Sequence, residues 1–223
     1  MKHIAKGGEP ASLTAWKLKQ TAAGIEPAWG DFQNPEKADG RLHLLGEQGA
    51  ICCYCMGSIS AGSMHIEHLE PRSIYPQIAL DWPNLLGCCA PKNEKGSKLA
   101  TQSHCGEYRG TSPLPVHPLQ PTCETRFGYE FAGHIRPEPA GDGDASATIT
   151  NLNLNSETLR NNREKLIQDA YADLEKLPEA VWLTTYIDEM NGVFPQFSAM
   201  FKWFFANHWQ KEMQALAAAE NVP

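Results

Sequence analysis

The chain has no apolar run approaching the length of a membrane span, no internal repeat, no coiled-coil heptad run and no low-complexity tract. These absences speak against a helical membrane protein, a solenoid and a fibrous assembly. Basic charge is also scarce, with 19 Lys and Arg against 26 Asp and Glu for a net charge of −7. A broad basic face that grips nucleic acid through phosphates alone is therefore not expected, and any such site must be local. The opening MKHIAKGGEP lacks the apolar core of a signal peptide, so a cytoplasmic location is expected. At 223 residues, 42% hydrophobic and 20% charged, the composition is that of one ordinary globular unit with no membrane association.

What the chain does have is a dense cluster of metal-binding residue types. Six of its seven cysteines fall within residues 51–109, interleaved with histidines, and an odd cysteine count without an export signal favours zinc over disulfides. Cys52 and Cys55 form a natural first ligand pair. No second Cys-x-x-Cys follows, because position 92 is lysine, so the second pair is Cys105 with Cys88 or Cys89. Cys89 is preferred, with Cys53 and Cys88 as buried apolar residues. A two-Cys two-His site built from Cys52, Cys55, His65 and His68 fails on spacing. Nine residues separate Cys55 from His65 and two separate the histidines, where a finger needs a longer interval and three to five.

A second chemistry overlaps the first. His65, Glu67 and His68 lie side by side with Asn84 and Asn93 downstream, which suggests a hard, catalytic cation such as Mg2+. Phosphodiester cleavage needs a nucleophile, charge stabilisation and help for the leaving oxygen. A divalent ion supplies the last two, and a neutral imidazole activates water for the first. On a strand, however, residues 65 and 67 point one way and 66 and 68 the other. A bend or bulge is thus expected to bring His68 to its neighbours.

The spacing of apolar and turn residues predicts a helix over 12–23, capped by Ser12 and ended by Gly24, with Leu13 and Trp16 on one face. A second helix is expected over 36–48 with Leu42, Leu44 and Leu45 inward and Gly49 as its stop. A cysteine turn and short strand over 51–60 should form a hairpin with a strand over 64–69, and a short helix over 88–98 should follow. Residues 99–110 read as a polar excursion. Residues 127–131 read as a strand paired with 147–150, or else as an ordered loop, and helices are expected over 156–177, 181–190 and 197–218. The aromatic run of Phe194, Phe197, Phe201, Trp203, Phe204, Phe205 and Trp209 reads first as core and second as a partner surface.

The order Cys-x-x-Cys, His-Ile-Glu-His-x-x-Pro, Asn-Leu-Leu-x-Cys-Cys and Asn93 resembles an HNH endonuclease of the ββα-metal type over residues 48–110. The wider frame, through 45–55, Cys105-Gly106 and 149–163, is similar to the HNH nuclease subunit of Septu-type and retron-associated antiphage systems. That resemblance implies an α+β fold: a zinc-stapled ββα module over 51–110 between a helical extension over 1–50, a Pro/Gly-rich loop and hairpin over 111–155, and a helical extension over 156–223. It implies His68 as general base, Glu67 as acidic metal ligand, Asn84 as the brace of the loop that orients the base, Asn93 as the last metal-side position and His65 as a further one. The implied cofactors are structural Zn2+ and catalytic Mg2+ or another divalent cation. The implied partners are DNA or RNA and an ATPase of the ABC/SMC type.

Arg72, Lys95, Lys98 and Arg109 are candidate phosphate contacts, with a solvated face as the alternative for each. The remaining histidines, His104 among them, are given no role. The rival to a nuclease is a non-catalytic zinc module that binds nucleic acid or a partner protein, and a toxin-like RNase differs from the nuclease only in substrate.

Overall fold

The structure, a computed structural model, describes residues 1–90 and 103–213. Lys92, Asn93, Lys95 and Lys98, with most of the helix expected over 88–98, lie outside the described residues. The architecture is mixed α and β, with helices around two small antiparallel sheets. Among the described residues, no helix is long and apolar enough to cross a membrane.

Helix α1 (Ala11–Ala22) buries Leu13 and Trp16 as expected. Ser12 does not cap it. Its hydroxyl instead donates to Asp39 Oδ2 at 2.5 Å, tying α1 to α2 (Glu36–Gln48). Helix α2 stops where Gly49 takes a left-handed conformation at φ 59°, which glycine adopts without steric cost. Leu44 is buried but Leu42 is 59% exposed, because residues two apart lie about 200° apart around a helix and cannot share its inner face.

The strand pairing differs from expectation. Residues 51–58 form the cysteine turn, closed by one bridge between Ile51 and Ser58 and by Cys52 N–H donating to Gly57 O at 2.8 Å. That segment does not pair with β1 (Met64–His68), and Cys53 N–H instead donates to Gly87 O at 3.0 Å. The partner of β1 is β2 (Leu85–Cys89), in antiparallel register from Met64 opposite Cys89 to His68 opposite Leu85. The β2 run Leu-Leu-Gly-Cys is buried on both faces, so it lacks the alternation that marks a strand in sequence. Gln48 latches α2 to this strand: its side chain donates to Gly87 O at 2.8 Å and accepts from Gly87 N at 2.6 Å.

The expected polar excursion contains a short helix, α3 (Cys105–Arg109), with Cys105 and Arg109 buried. Strand β3 (Phe127–Tyr129) pairs with β4 (Ile135–Pro137), not with 147–150. Those residues belong to α4 (Gly143–Asn151), whose first turn is capped by Asp142 accepting from Ala145 N–H at 3.0 Å. Helix α5 (Glu157–Ala172) buries Leu159, Ile167 and Ala170 as its period predicts, and also Arg163. The Arg163 guanidinium donates to Gly133 O and Leu154 O, both at 2.7 Å, which fastens α5 to the β3–β4 turn.

Helices α6 (Glu179–Tyr186) and α7 (Ser198–Phe204) follow, the latter continuing into a π-helical turn, Phe205–Trp209. Phe197, Phe201, Phe204 and Trp209 are buried, with Phe204 stacked on Trp209 at 4.9 Å and Trp182 on Phe205 at 5.6 Å. Those four are core, with Phe194, Trp203 and Phe205 half-buried against it. A partner surface made of Phe201, Phe204 and Trp209 is ruled out by their burial.

Candidate metal centre and catalytic residues

The cysteine turn, the end of β2 and the start of α3 converge on one cluster of sulfurs. The thiols of Cys52, Cys88, Cys89 and Cys105 all lie within 4.8 Å of one another, and so do the ligand atoms of Cys55, Cys89, His104 and Cys105. Cys52 Sγ stands 4.0 Å from Cys105 Sγ, and Cys55 Sγ stands 3.9 Å from Cys89 Sγ. Sulfurs that share one tetrahedral zinc at about 2.3 Å are separated by about that much. Cys53 is buried in apolar surroundings, as expected. Cys88 is not merely a filler, since its sulfur lies 3.9 Å from Cys52 Sγ and accepts from Gly106 N–H at 3.4 Å.

The buried thiols of this cluster influence one another's ionisation. Burial opposes ionisation of Cys52, yet sulfur contacts from Cys105, Cys53, Cys55 and Cys88 hold its thiol well below the usual range. Burial pushes Cys53, Cys88 and Cys105 well above it. One thiol can ionise on its neighbours' protons, whereas several buried thiolates together require a metal ion. Cys and His groups placed this way could hold such an ion, and their softness is compatible with zinc. His104, given no role from sequence, lies 3.8 Å from Cys89 Sγ and 3.2 Å from Cys105 Sγ.

On the α3 side of β1, Glu67 is the centre of a second group. His65 Nε2 lies 3.3 Å from Glu67 Oε2, and Tyr54 O–H donates to Oε1 at 3.3 Å. Burial pushes the Tyr54 phenol well above its usual range, so it stays a donor. Arg109 Nη1 donates to Tyr54 Oη at 3.0 Å and approaches Oε1 at 3.4 Å. Far from lying on a solvated face or free to meet a phosphate, Arg109 is 3% exposed and also donates to His68 O at 3.2 Å and Leu69 O at 2.6 Å. The guanidinium thus fixes the backbone where β1 ends.

His68 is on the other face. The ladder is regular through His68 opposite Leu85, with no bulge, so the residues alternate and the structure does not bring His68 into contact with Glu67 or His65. Its ring meets Trp29 edge-on at 4.3 Å, and its Nε2 lies 3.0 Å from Ala79 O. A carbonyl can only accept, so Nε2 carries the proton and Nδ1 is the basic nitrogen of the neutral ring. Desolvation, with the nearby Arg72 and Lys37 cations, lowers its pKa below the ordinary histidine value, against the pull of the Ala79 carbonyl and Glu67. Asn84 spans the loop beyond β1. Its Oδ1 accepts from Glu70 N–H at 2.6 Å while its Nδ2 donates to Ile78 O at 3.1 Å and Glu70 O at 3.2 Å. Ile78 directly precedes Ala79, whose carbonyl meets His68.

No protein-family model matches the chain. It is 32% identical over 111 residues to the "Retron Vc95 putative HNH endonuclease" of Vibrio cholerae serotype O1 biovar El Tor, covering 48% of this chain and 50% of that protein. The chain is a relative of that protein. It is also 26% identical over 131 residues to the "Septu protein PtuB" of Bacillus thuringiensis, covering 56% of this chain and 44% of that protein. The chain thus spans about half the length of the curated relatives it matches. The resemblance read from the motifs, to HNH endonucleases of retron and Septu type, is borne out by these names.

Tyr54, His104 and Trp29 are the site residues that sequence reasoning missed, and Arg109, expected to meet a phosphate, instead holds Glu67 and the end of β1. His104 and Tyr54 carried a signal, one adjoining Cys105 and the other sitting inside Cys-x-x-Cys. Arg109 and Trp29 reach the site only through the fold.

Proposed function

We propose that the chain is a metal-dependent HNH endonuclease that hydrolyses phosphodiester bonds, the effector nuclease of an antiphage defence complex. In this reading the module over 51–110 is of the ββα-metal type, with His68 as general base and Asn84 holding the loop that orients it. Glu67, with Asn93 and His65, holds the catalytic divalent ion. Cys52, Cys55, Cys89 and Cys105 hold structural zinc. The divalent ion, Mg2+ or a similar cation, would stabilise charge on the phosphate and the leaving oxygen. The chain's own residues do the rest: Arg109 and Tyr54 position the Glu67 carboxylate, and His68 takes a proton from water at Nδ1.

The observation that carries the reading is the His68 Nε2 contact with Ala79 O at 3.0 Å, which fixes the tautomer and leaves the other nitrogen basic. An acidic chain that lacks a broad basic face gains from a partner that delivers nucleic acid, and an ATPase of the ABC/SMC type is the partner proposed. The test is incubation with supercoiled plasmid and with tRNA, plus Mg2+, with and without that ATPase. Cleavage of either supports the reading and identifies the substrate. No cleavage of either substrate under any of these conditions rejects it.

One observation favours the second reading, a non-catalytic zinc module. His68 is 8% exposed and faces away from Glu67. On that reading zinc is retained and cleavage is absent.

A further inference from the structure

Lys37 and Arg72 lie near His68, Arg41 lies near Lys37, and among the described residues none of the three has an ionic partner. Lys37 and Arg41 stand one turn apart on α2, a like-charge spacing that weakens a helix unless an anion joins it. Arg72 comes from the loop after β1. Lys37 Nζ lies 4.6 Å from the centre of the Trp29 ring, and Arg72 Cζ lies 6.0 Å from it. Among the described residues, the Nε of Arg41 is buried with no hydrogen-bond partner, an arrangement that an anion would relieve. The same Trp29 ring touches His68 at 4.3 Å. Beside it opens a cleft of about 470 Å3 lined by Trp29, Arg72, Pro76, Gln77 and Ala79, with Glu26 as its one acidic wall residue.

We infer that Lys37 and Arg72, flanking Trp29, and Arg41 beside Lys37 form a subsite for the phosphate backbone of a single nucleic-acid strand, with the indole as a face on which a base stacks. The grouping has the chemistry such a strand needs: Arg72 on the cleft wall with a guanidinium able to grip a phosphate in two places, two further cations nearby on α2, and one aromatic platform. Two of the three cations come from α2, outside the metal-binding stretch, which gives the N-terminal helices a binding role. The subsite adjoins His68 through a shared ring, so a strand held there presents its backbone at the proposed base. The inference rests on the nuclease reading for its meaning, but binding and cleavage are measured separately.

The experiment uses the zinc-loaded full chain and fluorescein-labelled 20-nucleotide single strands of DNA and of RNA, without added divalent ion, by anisotropy across a salt series. Each phosphate contact to a single strand contributes about 0.7 to the slope of log affinity against log salt. The variant Lys37→Gln/Arg41→Gln/Arg72→Gln should therefore lose about 2 from that slope and bind at least about tenfold more weakly at low salt. Arg72→Gln alone, on an exposed loop, should lose about 0.7 and keeps the test available should the triple variant not fold. Trp29→Leu should weaken binding with the slope unchanged. Lys165→Gln/Lys176→Gln/Lys202→Gln, remote from the cleft, should leave both quantities as they are.

An unchanged slope in the folded variants overturns the inference, as does an equal loss in the remote variant or no binding of either strand by the wild type. Which strand binds more tightly identifies DNA or RNA as the ligand. Binding that behaves as described but yields no cleavage when Mg2+ is added leaves the subsite standing and removes the nuclease reading.

Discussion

Gly106 lies so close to Glu67 that a β-carbon on it would stand 2.6 Å from the Glu67 Oε2 and 3.0 Å from His65 Nε2. Its own N–H donates to Cys88 Sγ at 3.4 Å. One backbone position therefore touches both the sulfur cluster and the carboxylate proposed to hold the catalytic ion. Glycine is needed here for space, since a side chain would displace the carboxylate.

Gly106→Ala should consequently uncouple the two sites. Pushing Glu67 and His65 outward costs about 1–3 kcal/mol, the usual range for overpacking a tight position. Cleavage should fall at least about tenfold, since misplacing a metal ligand by an ångström costs that much or more. Zinc content and Mg2+-dependent plasmid cleavage, measured on one preparation, check it; unchanged cleavage would mean that Glu67 is not a ligand.

Removing the first ligand pair should unfold the module. Cys52→Ser with Cys55→Ser takes two sulfurs from a cluster whose ion, by analogy with other structural zinc, contributes on the order of 10 kcal/mol. Metal analysis of the wild type should give one zinc per chain, and the double variant should lose it along with cooperative unfolding. A folded, zinc-free double variant would contradict the structural assignment.

Arg109→Met should destabilise the fold by about 3 kcal/mol or more, because it strips donors from the carbonyls of His68, Leu69 and Ser112 and leaves Glu67 without its cation. Denaturant unfolding measures this. A loss below about 1 kcal/mol would show that water replaces the guanidinium, as at a surface position.

The pH dependence of cleavage follows from His68, whose pKa is lowered by desolvation and nearby cations. A base must be unprotonated, so the rate should rise with pH through a midpoint below the ordinary histidine value of about 6.5. Stability carries the matching sign. With its folded pKa depressed, the neutral ring contributes stability that is full above about 6.5 and is lost as pH falls through the folded value. An acid limb centred above 7 would point to a different base.

The helical period of α5 was legible because its buried residues repeat every three to four positions, and the cysteine cluster was legible because Cys-x-x-Cys is a local signal. The β2 strand was not legible, being buried on both faces and so without alternation. The strand assigned to 147–150 failed for a different reason. Its β-branched residues looked extended, but Asp142 caps a helix there and Thr148 is buried against Val116, giving N–H···Oγ1 at 3.0 Å. Arg109 and the Lys37, Arg41 and Arg72 group depend on contacts between distant segments, which a single sequence does not encode locally.

The most direct test of the account compares wild type with His68→Ala, both carrying zinc, in plasmid and RNA cleavage as Mg2+ is titrated, together with the ATPase if cleavage requires it. Losing the Ala79 contact and the packing on Trp29 should cost about 1–2 kcal/mol of stability, so the variant stays folded. The account predicts saturable, Mg2+-dependent cleavage by the wild type and at least about a hundredfold lower rate in the variant at equal zinc content. Equal cleavage by both proteins would contradict it.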